Sequence, residues 1–127
     1  MADILGTGVD VVELPRIRAA IERHGERFLR KVYTPAEVAY CYAKKDCWAS
    51  FAGRWAAKEA TFKAYGHGWN GVWWLNQIEV VKEPSGKPSI RLLGAAAQAH
   101  AARGVARHEL SITHGREIAV ANVILLG

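Results

Sequence analysis

The chain has 127 residues, of which 50% are hydrophobic and 23% are charged, and this composition favours one folded domain over a disordered chain. No apolar run approaches the roughly 20 residues that a membrane-spanning helix needs, and the N-terminal segment lacks the pattern of a secretory signal. We therefore expect one cytoplasmic domain over residues 1–127, with Cys41 and Cys47 reduced. The net charge of +5 favours an acidic partner, which could be nucleic acid, a phosphate-rich small molecule or an acidic protein.

The N-terminal part of the chain predicts one strand and then three helices. A stretch rich in β-branched residues indicates the strand, while prolines and glycines mark several of the helix boundaries. A capping box, which begins at Thr34, precedes the second helix. The predicted elements are the strand Ile4–Val12, a helix from Pro15 that Gly25 ends, a helix from Pro35 to about Ala43, and a long helix Cys47–Tyr65 closed by Gly66.

The C-terminal part predicts two hairpins separated by a helix. A glycine- and tryptophan-rich connection over residues 66–76 comes first, with Trp69, Trp73 and Trp74 crowded together. The predicted elements are a hairpin of residues 77–83 and 89–93 around the turn 84–88, an alanine-rich helix Gly94–Arg103, and the paired strands Glu109–His114 and Glu117–Leu126. The sequence therefore predicts an α+β fold, with an antiparallel sheet packed against one long and several short helices.

The long helix contains a carboxylate where an apolar side chain is expected. At about 100° per residue, Glu59 falls in the middle of an apolar stripe. The stripe consists of Trp48, Phe51, Ala52, Trp55 and Phe62. A buried carboxylate must be paired, protonated or bound to a metal, because burying it alone is costly. Two explanations are open on this pattern: a salt bridge to Lys63 one turn later, or a metal ligand.

Asp10 is a second carboxylate in apolar surroundings, in the strand ILGTGVDVV. It could meet Glu59 at one divalent cation, because Mg²⁺ takes oxygen ligands and often only one or two protein carboxylates. Lys58 and Lys63 flank Glu59, and Arg54 lies about one turn earlier. Carboxylates beside cations are what a metal-bound diphosphate requires. His114 and the segment 86–88, taken alone, indicate only turns.

Taken in order, these motifs resemble those of the bacterial holo-acyl-carrier-protein synthases, the short class of phosphopantetheinyl transferases. The segment Gly8-Val9-Asp10 followed by Arg16 is similar to that family's N-terminal signature. Residues 51–66, FAGRWAAKEATFKAYG, resemble its central motif, and Gly86-Lys87-Pro88 and Ser111-Ile112-Thr113-His114 resemble its later landmarks. The resemblance covers nearly the whole chain, and 127 residues argue against the longer class, which fuses two such units.

The resemblance implies an enzyme that binds coenzyme A and Mg²⁺ and transfers phosphopantetheine to a serine of an acyl carrier protein in fatty acid biosynthesis, releasing 3′,5′-ADP. Asp10 and Glu59 should hold the metal and act in catalysis with Lys63, which should contact the diphosphate. The residues expected to border the nucleotide or its phosphates are Arg54, Gly86, Pro88 and His114. Either Glu59 or a metal-bound water could accept the serine proton. A homotrimer with sites between subunits is also implied, so Asp10 and Glu59 could come from different chains.

Acyl carrier proteins are strongly acidic, so the arginine-rich helix after Pro15 is the expected docking surface. Arg16 is the first candidate, with Arg23 and Arg27 behind it, although each could be an ordinary solvated charge. Two rival interpretations are a nucleic-acid-binding domain and an inactive structural relative. The first requires aromatic and basic residues on one exposed surface, whereas the tryptophans of the long helix share the stripe of Glu59. The second is disfavoured by the presence of both carboxylates and Lys63. We therefore expect neither a nucleic-acid nor a membrane partner.

Overall fold

The structure, a computed structural model, describes residues 2–66 and 73–127. It has the α+β composition predicted from the sequence. The strands are β1 (Ile4–Glu13), β2 (Ile78–Lys82), β3 (Pro88–Leu92), β4 (Arg107–His114) and β5 (Ile118–Leu126), and the helices are α1 (Leu14–His24), α2 (Glu26–Val32), α3 (Pro35–Tyr42), α4 (Cys47–Ala64) and α5 (Gly94–Ala102), with a 3₁₀ turn at Leu75–Gln77.

The strands form two antiparallel sheets where the sequence suggested one. A three-stranded sheet has the order β1–β5–β4, and the hairpin β2–β3 forms a separate two-stranded sheet. In the larger sheet Asp10 pairs with Ala121, which pairs in turn with Ile112. The first and last strands of the chain are therefore hydrogen-bonded neighbours, so the larger sheet joins the two ends of the chain.

The helix α2 was not predicted, because the stop signal at Gly25 hid it. Gly25 has a φ of 55°, which ends α1, and the chain re-enters a helix at the next residue. Leu29 and Val32 lie three residues apart and are buried, so α2 is held by one apolar face. Arg27 therefore belongs to α2, and not to the arginine-rich helix after Pro15.

The long helix α4 is buried on nearly all sides and is the centre of the fold. It packs on β1 and β5 of the larger sheet and also contacts α1, α3 and β2. Small residues line its contact with the sheet, and Ala56, Ala57 and Ala60 are fully buried. A helix enclosed on all sides is not amphipathic, so the single apolar stripe predicted from periodicity describes only part of its buried surface.

Most of the connection predicted over residues 66–76 lies outside the described residues, as does Trp69. Trp73 is described and buried, and its ring packs edge-on against Tyr65 at 4.7 Å between centroids. Gly66, with a φ of 77°, follows α4 as predicted. Gly66 thus follows the end of α4 in a left-handed conformation, and Trp73 lies in the core.

A tyrosine–histidine cluster attaches α5 to the rest of the fold. The Tyr65 hydroxyl lies 2.9 Å from His100 Nδ1 and 2.7 Å from His108 Nε2, and the two imidazole rings stack at 5.1 Å. Because the hydroxyl has one hydrogen, it can donate to only one ring nitrogen, so at least one of the two imidazoles donates to it. Burial, followed by the charge of His100, lowers the pKa of His108 to about 4.

This cluster predicts a loss of stability in mild acid. The unfolded chain takes up the His108 proton near pH 6.5, whereas the folded chain does so only near pH 4. Acidification through that range therefore favours the unfolded state. We expect the free energy of unfolding, measured by urea denaturation, to decrease as the pH is lowered from about 6.5 to about 4. His108→Gln keeps a polar nitrogen without the titration, so it should show a flatter pH dependence; parallel curves would contradict this assignment.

Candidate functional site

Two glycines in β1 allow this strand to lie against the backbone of α4. A Cβ atom at Gly8 would overlap the carbonyl oxygen of Ala60, and one at Gly6 would overlap that of Ala64. Side chains on a strand alternate between its faces, so Asp10 lies on the same face as Gly8 and is directed towards α4. The glycine spacing thus brings the Asp10 carboxylate to the helix that carries Glu59.

The structure brings Asp10, Glu59 and Lys63 together within one chain. The Lys63 ammonium lies 3.0 Å from Asp10 Oδ1 and donates to the Val9 carbonyl oxygen at 3.2 Å. The Asp10 side chain is 14% exposed and that of Lys63 is 54% exposed, so the ammonium remains accessible beside a largely covered carboxylate. Among the described residues Glu59 forms no salt bridge with Lys63, which pairs with Asp10, although the charge of Lys63 lowers the pKa of Glu59.

Glu59 is half-buried, and its environment is consistent with a cation ligand. Burial and then the charge of Asp10 raise the pKa of Glu59, while Lys63 and Arg16 act in the opposite direction. Two carboxylates that repel each other at one position favour a divalent cation. In the described ranges no cluster contains three acidic, histidine or cysteine side chains able to hold a metal. The remaining positions around Mg²⁺ would fall to water and phosphate oxygens, as is usual for this ion.

A separate groove brings together the four residues that were expected to border the nucleotide. Arg54, Gly86, Pro88 and His114 all line a cavity of about 510 Å³ between α3, α4, the β2–β3 turn and the end of β4. Its wall also carries the basic residues Lys44, Lys45 and Lys82. A concave surface with this excess of positive charge is suited to a ligand with several phosphate groups.

Arg54 has an unusual place in this groove. The residue is only 8% exposed, and its guanidinium lies over the Tyr40 ring at 4.0 Å. Its Nε is buried and has no hydrogen-bond partner within residues 2–66 and 73–127. A buried donor left without an acceptor costs roughly 1–3 kcal/mol, so an anionic ligand in the groove would relieve this cost.

Lys58 has a different position from the one suggested by the sequence. Its side chain is fully buried, and its ammonium lies 2.7 Å from Glu37 Oε1. Lys58 therefore does not lie beside Glu59 as a second phosphate-binding cation. The sequence contained one relevant signal, because Glu37 belongs to the predicted capping box, in which it accepts a hydrogen bond from the Thr34 amide at 3.0 Å. That signal does not identify a partner 21 residues away.

The three arginines considered for docking are exposed. Arg16 lies closest to the carboxylates, since its charge lowers the pKa of Glu59. Arg23 lies near the end of α1, and Arg27 lies on α2. The exposed basic surface of these helices therefore begins beside the two carboxylates.

The sequence profile of the 4′-phosphopantetheinyl transferase superfamily matches residues 6–121. The chain is 48% identical to the holo-[acyl-carrier-protein] synthase of Koribacter versatilis, over 96% of this chain and 98% of that protein. The chain belongs to this superfamily. It is thus a phosphopantetheinyl transferase of the holo-[acyl-carrier-protein] synthase type, as the motifs predicted.

Solved structures of such synthases share the fold. The synthase from Neisseria meningitidis superposes with a TM-score of 0.89 at 29% identity, covering 97% of this chain and 98% of that one. The synthase from Bacillus anthracis, solved in complex with CoA (3′,5′-ADP), superposes with a TM-score of 0.80 at 32% identity, covering 98% of this chain and 97% of that one.

In the described ranges, no helix of this transferase combines the length and apolarity needed to cross a membrane.

The contact between β1 and α4 predicts the effect of one added methyl group. Gly8→Ala should push β1 away from Ala60, separate Asp10 from Glu59 and lower the free energy of unfolding by about 1–3 kcal/mol. Thermal unfolding would measure the stability, and calorimetric titration with Mn²⁺ would measure cation binding. Gly115→Ala is the matched control, because a Cβ there meets nothing within 4 Å. If Gly8→Ala were as stable as this control, the close approach of β1 would not matter.

Proposed function

We propose that this chain transfers the 4′-phosphopantetheine group from coenzyme A to a serine of an apo-acyl carrier protein, in a Mg²⁺-dependent reaction that serves fatty acid biosynthesis. The observation that carries this proposal is the adjacency of Asp10, Glu59 and Lys63 in a chain whose relatives include a synthase with bound coenzyme A. All 127 residues would act as one catalytic domain. Cytoplasmic location stays a prediction.

The reaction replaces a phosphoanhydride bond at a phosphorus atom by an ester bond to the serine. The serine oxygen forms a bond to the β-phosphorus of coenzyme A, the bond from that phosphorus to 3′,5′-ADP breaks, and the serine proton passes to a base. Such phosphoryl transfers depend mainly on positioning and charge stabilisation. The exposed ammonium of Lys63 is available to contact the diphosphate, and Arg54 lines the groove that would hold the nucleotide's phosphate groups.

Asp10 and Glu59 are the residues that would hold the metal. Bound between them, Mg²⁺ would neutralise charge on the diphosphate and stabilise the leaving 3′,5′-ADP. The two carboxylates repel each other, and among the described residues Lys63 pairs with Asp10 while the charge of Arg16 also acts on Glu59. This donor set suits a hard cation that completes its coordination with phosphate and water.

The two parts of the proposed site lie on different sides of α4. Arg54 and Glu59 are five residues apart, which corresponds to about 140° around the helix axis. A substrate bound to Glu59 of one chain would therefore meet the Arg54 groove of another chain more readily than that of the same chain. This arrangement supports a shared site between neighbouring copies.

The outer face of the larger sheet supports the same assembly. Val9 and Val11 lie on the face of β1 opposite Asp10 and are 57% and 61% exposed in the isolated chain. Ile118 on β5 is also exposed. An antiparallel sheet with an open apolar face is completed when another element covers it. We propose that this face is covered by copies of the chain in a homotrimer, with a carrier protein docked at the exposed Arg16, Arg23 and Arg27.

Incubation with apo-acyl carrier protein, coenzyme A and Mg²⁺ tests the transfer. Mass spectrometry of the carrier should show the added phosphopantetheine, and EDTA should abolish it because the phosphate charge is no longer compensated. Glu59→Gln should lower the rate by at least about a hundredfold, the usual scale for loss of electrostatic stabilisation. Glu13→Gln, an exposed carboxylate on the same strand as Asp10, is the control and should keep the rate. An unmodified carrier with active coenzyme A and folded protein would refute the proposal.

Complementation between two inactive variants tests the shared site. Glu59→Gln alters the carboxylate part, and Arg54→Met alters the groove while keeping an unbranched side chain on Tyr40. Co-refolding them in equal amounts should restore about a quarter of the sites if each site uses Glu59 of one copy and Arg54 of another. Sedimentation should give the mass of a trimer. A mixture no more active than its components would place both residues of a working site in one chain.

A further inference from the structure

The Lys58–Glu37 pair lies in the core between the two parts of the proposed site. The Lys58 side chain is 0% exposed and that of Glu37 is 1% exposed. The Lys58 ammonium donates to Glu37 Oε1 at 2.7 Å, to the Leu75 carbonyl at 3.1 Å and to the Ile78 carbonyl. These three acceptors account for all three hydrogens of the ammonium. The cation is therefore fully satisfied and is not available to a ligand.

Glu37 is equally occupied. Its Oε1 also accepts from the Thr34 amide at 3.0 Å, and its Oε2 accepts from the Val80 amide at 3.0 Å. Through these bonds the pair joins α3, α4, the 3₁₀ turn and β2 at one point. The Thr34 hydroxyl adds a link to β2, because it donates to Glu79 Oε2 at 2.6 Å.

Three of the elements joined by the pair, α3, α4 and β2, also form walls of the nucleotide groove. Tyr40 lies about one turn after Glu37 on α3, and Arg54 lies one turn before Lys58 on α4, so the stacked Tyr40 and Arg54 side chains lie on the same helix faces as the pair. Val80, whose amide Glu37 binds, lines the groove on its β2 side. A neighbouring cavity of about 530 Å³ shares Tyr40, Arg54 and Val80 with the groove and has Glu37 in its wall.

The pair is also adjacent in sequence to the carboxylate part of the site, although the Lys58 and Glu59 side chains lie on different sides of α4. Lys58 precedes Glu59 directly, so a bond that fixes the rotation of α4 at Lys58 also fixes the direction of Glu59. An apolar pair would fill the same space, yet it would not specify which carbonyl and amide groups of β2 face the helix. Directional bonds from two buried charges do specify them.

We propose that Lys58 and Glu37 are positioning residues, which hold the β2–β3 hairpin and α3 at the distance from α4 that the nucleotide half of coenzyme A requires. This inference rests on the proposed function and adds two residues that do not touch the substrate. A purely structural role makes a different prediction. Partial unfolding lowers the amount of active enzyme and hence the apparent kcat, but the molecules that remain folded keep their KM.

Glu37→Gln is the first test. A glutamine side chain cannot accept from both the Lys58 ammonium and the Val80 amide, because one of its two terminal atoms is a donor. One of these buried groups therefore loses its partner, which weakens the connection between α3, α4 and β2. We expect KM for coenzyme A and Kd for 3′,5′-ADP to rise together by about fivefold to a hundredfold. KM for the carrier protein and the Mg²⁺ concentration for half-maximal rate should stay within about twofold of wild type.

The combined variant Lys58→Met, Glu37→Gln protects the test against a failure to fold. Methionine keeps an unbranched chain, and the double change leaves no unpaired buried charge. It should fold and still show the raised KM, because the Leu75 and Ile78 carbonyls lose their common donor. Glu26→Gln, which breaks the exposed Arg30–Glu26 pair, is the matched control for loss of an ion pair. Ile21→Ala is the control for lost stability away from the groove, and should lower the unfolding temperature without changing KM.

The outcomes separate this inference from the proposed function. If the wild-type chain does not transfer phosphopantetheine, the proposed function fails. If the wild type is active and both folded variants bind 3′,5′-ADP as tightly as it does, the pair only stabilises the core and the inference is overturned. If Ile21→Ala raises KM as much as Glu37→Gln does, the effect comes from general loss of stability, which also overturns the inference.

Discussion

The close contact between β1 and α4 is the constraint on which the site depends. A strand can approach a helix backbone so closely only where it lacks side chains, and Gly6 and Gly8 meet this condition opposite Ala60 and Ala64. The contact brings a strand carboxylate to a helix carboxylate more than 45 residues away in the chain. Lys63 then offsets part of the resulting negative charge by pairing with Asp10. The geometry of the three residues therefore follows from backbone packing at two glycines.

The helix α4 combines three kinds of polar group on different sides. Lys58 points into the core and is neutralised there, Glu59 points towards Asp10, and Arg54 points into the basic groove. Each would be costly in an apolar environment, and each is compensated in a different way. An internal carboxylate compensates Lys58, a cation would compensate Glu59, and an anion would satisfy the Nε of Arg54, which has no hydrogen-bond partner among the described residues. The last two indicate ligands of opposite charge, which is the pattern expected for a metal–diphosphate complex.

Much of this could be predicted from the sequence, for reasons that differ between residues. The adjacency of Asp10 and Glu59 was predictable because an isolated carboxylate in an apolar segment requires a partner. The groove residues Arg54, Gly86, Pro88 and His114 came from ordered motifs, since they lie on three separate parts of the chain. The roles of these residues stay predictions.

Other features depended on three-dimensional information. Periodicity gave α4 one apolar stripe, but a helix enclosed by a sheet and a hairpin buries almost every side, including Lys58. The partner of Lys58 is Glu37, and no local spacing connects them. The glycine that ends α1 concealed α2, since a stop signal does not exclude an immediate restart. The sequence predicted one sheet and the structure has two. The alternation of side chains within a strand does not show which other strand it will pair with.

The opposite orientation of Arg54 and Glu59 on α4 has a consequence for the proposed trimer. Each copy of α4 would contribute to two different sites, one through each side. A substitution that rotates this helix would therefore disturb a neighbour's chemistry as well as its own. Insertions or deletions within α4 should accordingly be tolerated much less than changes of the same size in the exposed β2–β3 turn.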